Sequence, residues 1–401
     1  MGLTGWPFLW LMIAMAAGSI GCTAWLWPRL ARQRAAQVAA RLGLMLLSQM
    51  LLISASAAYA NDAFDFFSSW SALFGTGPQQ QVAASSPVLA RAASAAPLTV
   101  TGSSFGTIFR GGAVFPGDAS FRLAGAWPAG PGQAKLVARA AAAGAVLRVT
   151  IRGEYTGIVA ADDYVFLPPQ YFQPAYRAAK FPVILTFTGY PNDPLNLMRL
   201  LELPAIADRL GAAGRIRPAI YVMVNPSVAL PRDTECTNIP AGLQVATFFG
   251  TDVPLAVERT FAAKAGRSGW AAIGYSTGAY CAVKMAMLYP GQFTAAVGLS
   301  GYYVADEDRT TGNLYGGSLG YRSENNLDWR LTHLPTPPVS VLVASSASGE
   351  KSLPNTLGFL RLVKPPMRGY ALILPRGGHN YYTWRRELPQ SLEWLSRRLA
   401  A

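Results

Sequence analysis

Runs and alternations of apolar residues divide the chain into stretches of different character. Trp6 to Trp27 is an uncharged apolar run of 22 residues and Leu42 to Ala60 a second of 19; each is long enough to cross a bilayer as a helix. From Ala145 onward the pattern changes to short apolar runs separated by helical periodicities. Val146–Arg152 and Asp163–Leu167 read as an antiparallel opening pair, and Pro182–Phe187 and Arg217–Val224 as buried strands. Trp270–Tyr275, Ala295–Ser300, Val339–Ala344 and Tyr370–Leu374 continue the series. Helical patterns fill most gaps, notably Leu197–Ala212, the segment after Ser276 and Glu387–Leu399. Strands alternating with helices predict an α/β fold, a mostly parallel sheet with helices on both faces, preceded by two transmembrane helices. The expected division is a two-helix anchor over 1–61, then an aromatic juxtamembrane stretch, a Gln/Ala/Ser/Pro-rich linker and a β-like segment of unassigned role over 62–144. The α/β domain follows over 145–401.

Charge orients the first two elements. The segment between the apolar runs carries Arg29, Arg32, Arg34 and Arg41 and no acid, so the positive-inside rule makes it cytoplasmic and places everything after Ala60 outside. A competing reading takes Arg29–Ala60 as a signal peptide, because Ala58-Tyr59-Ala60 resembles a cleavage site; it leaves the first apolar run unexplained. The formal net charge is +13, of which the part after Ala60 carries +9. That excess favours anionic surroundings such as envelope polymers or lipid headgroups. Nucleic acid is not expected as a partner, since no basic helix, aromatic-interleaved sheet motif or zinc spacing is found. Of three cysteines, Cys22 lies in the first apolar run, leaving Cys236 and Cys281 in the external part, where oxidising conditions permit a disulfide. Two buried free thiols are the alternative.

The chemistry gathers around Gly274-Tyr275-Ser276-Thr277-Gly278. An apolar strand pattern runs into these residues and a helical one leaves them, the arrangement of a nucleophile elbow. Small residues on both sides of Ser276 let strand and helix approach, and the backbone N–H of Thr277, at the helix start, points toward an oxyanion formed at the serine. A serine of ordinary acidity needs a base. Of the two histidines, His379 follows a strand and a glycine-rich loop near the end of the chain, whereas His333 falls in a proline-rich connection and reads as a loop residue. Between Trp329 and Arg386 the only carboxylate is Glu350, just beyond a strand, so the order is serine, acid, histidine. Ser276, Glu350, His379 and Gly189 all fall after predicted strands, on the edge where such sheets bind ligands.

With these residues in place the chain resembles the putative-esterase family of α/β-hydrolases, which includes esterase D and the antigen 85 mycolyltransferases. The likeness covers roughly Ala145 to Leu399 and is closest to membrane-anchored actinobacterial esterases. The motifs that carry it are Phe187-Thr-Gly189-Tyr190-Pro191, Arg232-Asp-Thr-Glu-Cys236, Gly274-Tyr-Ser276-Thr-Gly278, Ser300-Gly-Tyr-Tyr303 and Gly377-Gly-His379-Asn-Tyr-Tyr-Thr-Trp384. The resemblance implies an α/β-hydrolase fold, Ser276 as nucleophile, His379 as base, Glu350 as its orienting acid, and an oxyanion hole from the N–H groups of Tyr190 and Thr277. It also implies a substrate site near Gly189, Tyr302, Tyr381 and Trp384, with Tyr381 standing where the antigen 85 pattern has tryptophan. For Tyr302 and Tyr303 core packing is the competing reading, and for Arg232–Cys236 the choice is between a structural loop and a polar-acceptor site. No metal or organic cofactor is expected. The function expected is a membrane-anchored extracellular serine esterase or acyltransferase, acting on an acyl ester with water, a sugar or another envelope alcohol as acceptor. The rival is an inactive hydrolase fold serving as an envelope-binding scaffold.

Overall fold

The structure is a computed structural model that describes residues 6–31, 34–64, 98–102 and 131–400. The linker and most of the aromatic stretch, together with the β-like pieces at 107–110 and 119–123, lie outside the described residues. The chain divides into two compact units, one holding the N-terminal helices together with His379–Tyr381 and the other the rest of the sheet-bearing part.

In the first unit, α1 (Trp6–Leu26) and α2 (Ala35–Phe64) form a hairpin. At 1.5 Å per residue α1 is about 31 Å long, the thickness of a bilayer core. Both helices are long and apolar enough to cross a membrane, over Pro7–Leu30 and Ala35–Asn61. Thr23 Oγ1 and Ser48 Oγ hydrogen-bond across the hairpin at 3.0 Å, so two hydroxyls that would be costly in hydrocarbon satisfy each other. The second helix begins seven residues before the apolar run at Leu42. Its first turns, Ala-Ala-Gln-Val-Ala-Ala, are strong helix formers without being hydrophobic enough to extend that run. Arg41 therefore belongs to the helix rather than to the connection, with its guanidinium over the Trp27 ring at 5.5 Å.

The second unit is built on a nine-stranded sheet, β1 (Leu98–Gly102), β2 (Ala145–Arg152), β3 (Val159–Leu167), β4 (Val183–Phe187), β5 (Ile220–Val224), β6 (Trp270–Tyr275), β7 (Ala295–Leu299), β8 (Ser340–Ser346) and β9 (Arg368–Leu374). Their spatial order is β1-β2-β3-β5-β4-β6-β7-β8-β9. The pairs from β1 through β3 to β5 are antiparallel and those from β5 to β9 parallel. Every residue of β4, β5, β6 and β7 is buried, as strands covered by helices on both faces require. From β4 the chain steps outward to β5, then returns past β4 to β6 and proceeds one way to β9. Direction therefore reverses between β4 and β6, and their carboxyl ends flank the crevice where sheets of this kind bind ligands.

Three helical readings change. The pattern over Leu197–Ala212 is two helices, Leu195–Arg199 and Leu203–Ala212. Pro204 has no N–H to offer the preceding turn, and Glu202 takes a left-handed φ of 57° at the break. The helix Pro131–Ala143 falls in the segment of unassigned role; it starts on a proline and ends at Gly144, whose φ is +74°, the asymmetry of a helix start and stop. The last helix spans Tyr381–Ser396 and carries Pro389 inside it, so it begins six residues before Glu387.

Candidate active site

Ser276 sits between β6 and the helix Thr277–Leu288 with φ 56° and ψ −127°. A side-chain-bearing residue adopts such a conformation at a cost of about 1–3 kcal/mol, and here the surroundings hold it. Its N–H donates to Leu299 O at 3.0 Å, and Ala279 N–H donates to Ser276 O at 2.9 Å. The two glycines of the elbow are steric necessities: a Cβ on Gly274 would lie 2.1 Å from Gly278 O, and one on Gly278 would lie 2.2 Å from Thr188 O. Gly189, just beyond β4, packs against Ser276, since a Cβ there would meet Ser276 Cβ at 3.0 Å. The loop carrying Gly189 and Tyr190 is braced from below. Thr188 N–H donates to Val224 O, Asn225 Nδ2 and Thr188 Oγ1 both donate to Asn192 O, and Tyr190 OH donates to Pro231 O at 2.6 Å.

Glu350 lies in the loop after β8, where Ser345 Oγ donates to its Oε2 at 3.4 Å and lies 2.8 Å from Ser352 Oγ. That loop is sewn to the one after β9: Ala347 N–H donates to Leu374 O, Gly377 N–H to Ser348 O and Ser348 Oγ–H to Pro375 O. A Cβ on Gly349 would lie 2.2 Å from Gly377 O. His379 is exposed and stands two residues after Gly377, before the helix Tyr381–Ser396. The other histidine, His333, does not sit in a loop. It is the last residue of the helix Leu327–His333, which Asn326 caps by accepting from Trp329 N–H, and its ring stacks on Trp329 at 4.4 Å.

The residues expected to line the substrate site are largely interior. Tyr381 and Trp384 are buried. Trp384 stacks on Tyr275 at 4.2 Å and donates from Nε1 to Ser300 Oγ at 2.8 Å, packing the last helix against the strand end that leads into Ser276. Tyr302 stacks on Tyr280 at 5.5 Å, and its hydroxyl lies 2.6 Å from Glu235 Oε1 and 3.0 Å from Thr277 Oγ1. Tyr303 stacks on Phe359.

Arg232–Cys236 belongs to a built structural loop. Arg232 donates to the carbonyls of Thr311 and Asn313, and Asp233 Oδ1 accepts from Ser227 Oγ and Glu235 N–H. Cys236 is disulfide-bonded to Cys281, and Lys284, one turn on, donates to Glu235 O at 3.0 Å and Thr237 Oγ1 at 2.8 Å. Burial pushes the Glu235 carboxyl well above the usual carboxylate range and the Lys284 amine down to about 7, the Glu235 charge opposing the latter. Glu387 is also buried; that burial, with the neighbouring Glu350 charge, raises its carboxyl to about 8. Lys284 and Glu387 were not among the residues singled out from sequence. For Lys284 the available signal was a lone charge in the apolar helical run Tyr280–Leu288; Glu387, flanked by Arg385, Arg386 and Glu393, carried no such signal.

Residues 162–329, from β3 through the elbow to the helix ending at His333, match the family model described as putative esterase. That match covers 168 of the 401 residues. The chain is 22% identical over 268 residues to an uncharacterised protein of Corynebacterium glutamicum, covering 64% of this chain and 62% of that one. It thus spans less than two thirds of the length of that relative. Among solved structures it is similar to a ferulic acid esterase, with 21% identity, TM-score 0.54 and coverage of 64% of this chain and 98% of that one. An S-formylglutathione hydrolase of Agrobacterium tumefaciens gives 17% identity, TM-score 0.52 and coverage of 64% and 96%. A fluorophosphonate-binding serine hydrolase of Staphylococcus aureus gives 16%, 0.50, and coverage of 63% and 98%. At these identities the likeness establishes the α/β-hydrolase fold of the sheet-bearing unit.

Proposed function

We propose that the protein is a serine carboxylic-ester hydrolase or acyltransferase working through Ser276, His379 and Glu350, its catalytic domain held outside the cell membrane by α1 and α2. The observation that carries this reading is the strained Ser276 at the β4/β6 switch point, with Gly189 packed against its Cβ. The sewn loops after β8 and β9 support a partnership of Glu350 with His379.

In this reading His379 takes the hydroxyl proton as Ser276 Oγ attacks the ester carbonyl, and the N–H groups of Thr277 and Tyr190 hold the resulting oxyanion. Collapse breaks the C–O bond to the leaving alcohol, which receives the proton from the imidazolium, and leaves the acyl group on Ser276. Water, or a sugar or other envelope hydroxyl, then gives its proton to His379 and takes the acyl group as the acyl–Oγ bond breaks, and the imidazolium returns the proton to Ser276 Oγ. Glu350 orients the imidazole and stabilises its charged form. Substitution Ser276→Ala is expected to abolish covalent labelling by a fluorophosphonate and to lower ester turnover on the order of a millionfold. Undiminished turnover in that variant overturns the proposal. Incubation with acyl esters in the presence and absence of sugar acceptors then separates hydrolysis from transfer.

A further inference from the structure

We infer that the loop Asn225–Thr237 is a strap that sets the distance between the two oxyanion-binding backbone groups, and that Tyr302 and Glu235 are positioning residues acting through Thr277. The inference rests on the oxyanion hole proposed above. Neither donor lies within a strand: Tyr190 is in a loop, and Thr277 opens a helix behind a strained residue. The strap holds both. At one end, Pro231 O accepts from Tyr190 OH at 2.6 Å, tying the strap to the residue whose N–H is one donor. At the other end three independent links reach the helix Thr277–Leu288 or its first residue. Cys236 is bonded to Cys281, Lys284 donates to Glu235 O and Thr237 Oγ1, and Tyr302 bridges Glu235 Oε1 and Thr277 Oγ1.

The last link is the one aimed at the chemistry. A phenol has one proton, so with Glu235 ionised Tyr302 donates to the carboxylate and accepts a hydrogen bond from the Thr277 hydroxyl. If Glu235 is protonated the order reverses and both bonds survive. Either way Thr277 is held through its side chain, while its backbone N–H is left for the substrate. Glu235 itself is fixed from three sides: Asp306 N–H donates to Oε1, its own N–H donates to Asp233, and its φ of 47° is held between the disulfide and the Thr234 Oγ1–Pro226 O bond. The carboxylate is completely buried, so it does not meet substrate. Its structural surroundings all converge on the residue beside the nucleophile.

The test uses the full chain with an aryl ester and the matching thionoester, whose sulfur accepts hydrogen bonds poorly and so reports on the oxyanion hole. Tyr302→Phe keeps the stacking on Tyr280 and removes both hydrogen bonds. It is expected to lower kcat for the ester by about 10- to 100-fold, less than loss of a whole oxyanion donor, with KM little changed and the ester-to-thionoester ratio reduced. Thr277→Val keeps the backbone N–H and the shape of the side chain, and is expected to reproduce the loss. The double variant should be no worse than the weaker single one, because both remove one link. Glu235→Gln, which retains an acceptor for the phenol, should recover most of the activity lost in Glu235→Ala. An unchanged ester-to-thionoester ratio in Tyr302→Phe and Thr277→Val, or additive losses in the double variant, overturns the inference. If Tyr302→Phe does not fold, Thr277→Val alone decides through the same ratio. Ester turnover surviving Ser276→Ala would instead remove the reading beneath it, an outcome distinct from a strap that has no effect in an enzyme needing Ser276.

Discussion

Gly278 shows how little freedom single residues have around the elbow. A methyl group there would meet two consecutive backbone carbonyls, Thr188 O at 2.2 Å and Phe187 O at 2.7 Å, and backbone cannot swing aside as a side-chain tip can. Gly278→Ala is therefore expected to cost about 1–3 kcal/mol of stability through overpacking. It should also depress turnover further than the loss of folded protein explains, because the strand end it displaces carries Gly189. Thermal melting and kcat on the same preparation check both. Glu387 makes a second residue-scale prediction. Its folded carboxyl sits at about 8, raised by burial and by the Glu350 charge and lowered by Arg386, whereas an unfolded glutamate titrates near 4.3. The folded state thus holds the proton more tightly, so stability from this group is full below the unfolded value and declines as pH rises toward about 8. Glu387→Gln should flatten that decline, and melting temperatures of the two proteins across pH 5 to 9 should diverge at the alkaline end. The elbow was legible in sequence because its demand is local: small, any, serine, any, small. The Tyr302 bridge was not, because its partners are 67 and 25 positions away and nothing in the chain marks them as neighbours.

Between elements, legibility followed burial. The strands β4 to β7 are interior on both faces and appear as unbroken apolar runs, so sequence placed each within a residue or three of its observed bounds. Helix ends were harder to place, since Pro204 splits one helical pattern while Pro389 is accommodated within the last helix; the difference lies in tertiary surroundings that periodicity does not encode. The disulfide is the covalent case. It joins the Asn225–Thr237 loop to the helix Thr277–Leu288 across 45 residues, and closing a loop of that size in the unfolded chain is worth about 4 kcal/mol in the chain-entropy treatment. The pair Cys236→Ala and Cys281→Ala should therefore lose stability of that order, measured by thermal or denaturant unfolding beside the oxidised parent. A loss well under 1 kcal/mol would mean that Lys284 and Tyr302 hold the loop unaided.

For the molecule as a whole the question is which side of a membrane receives the sheet-bearing unit. In the proposed two-helix anchor, charge predicts the side: Arg29, Arg34 and Arg41 gather at the turn end, and Arg29 and Arg41 lie over the rings of Trp25 and Trp27 at 4.0 and 5.5 Å. Tryptophan favours the headgroup zone and arginine the cytoplasmic side of it, so the turn should sit at the inner interface and the chain after α2 should emerge outside. In that orientation the excess of basic residues beyond Ala60, +9, is expected to meet the anionic polymers of an envelope rather than the cytosol. Two outcomes follow in intact cells producing the full chain. The protein should stay with the membrane through a carbonate wash and leave it with detergent, and protease added outside should digest the domain while a cytoplasmic marker survives. The mass of the purified protein separates anchor from signal sequence, because cleavage after Ala60 would remove both helices and release the domain, whereas an anchor keeps them. Protection of the domain from external protease would place the active serine in the cytosol and exclude envelope hydroxyls as its acceptors.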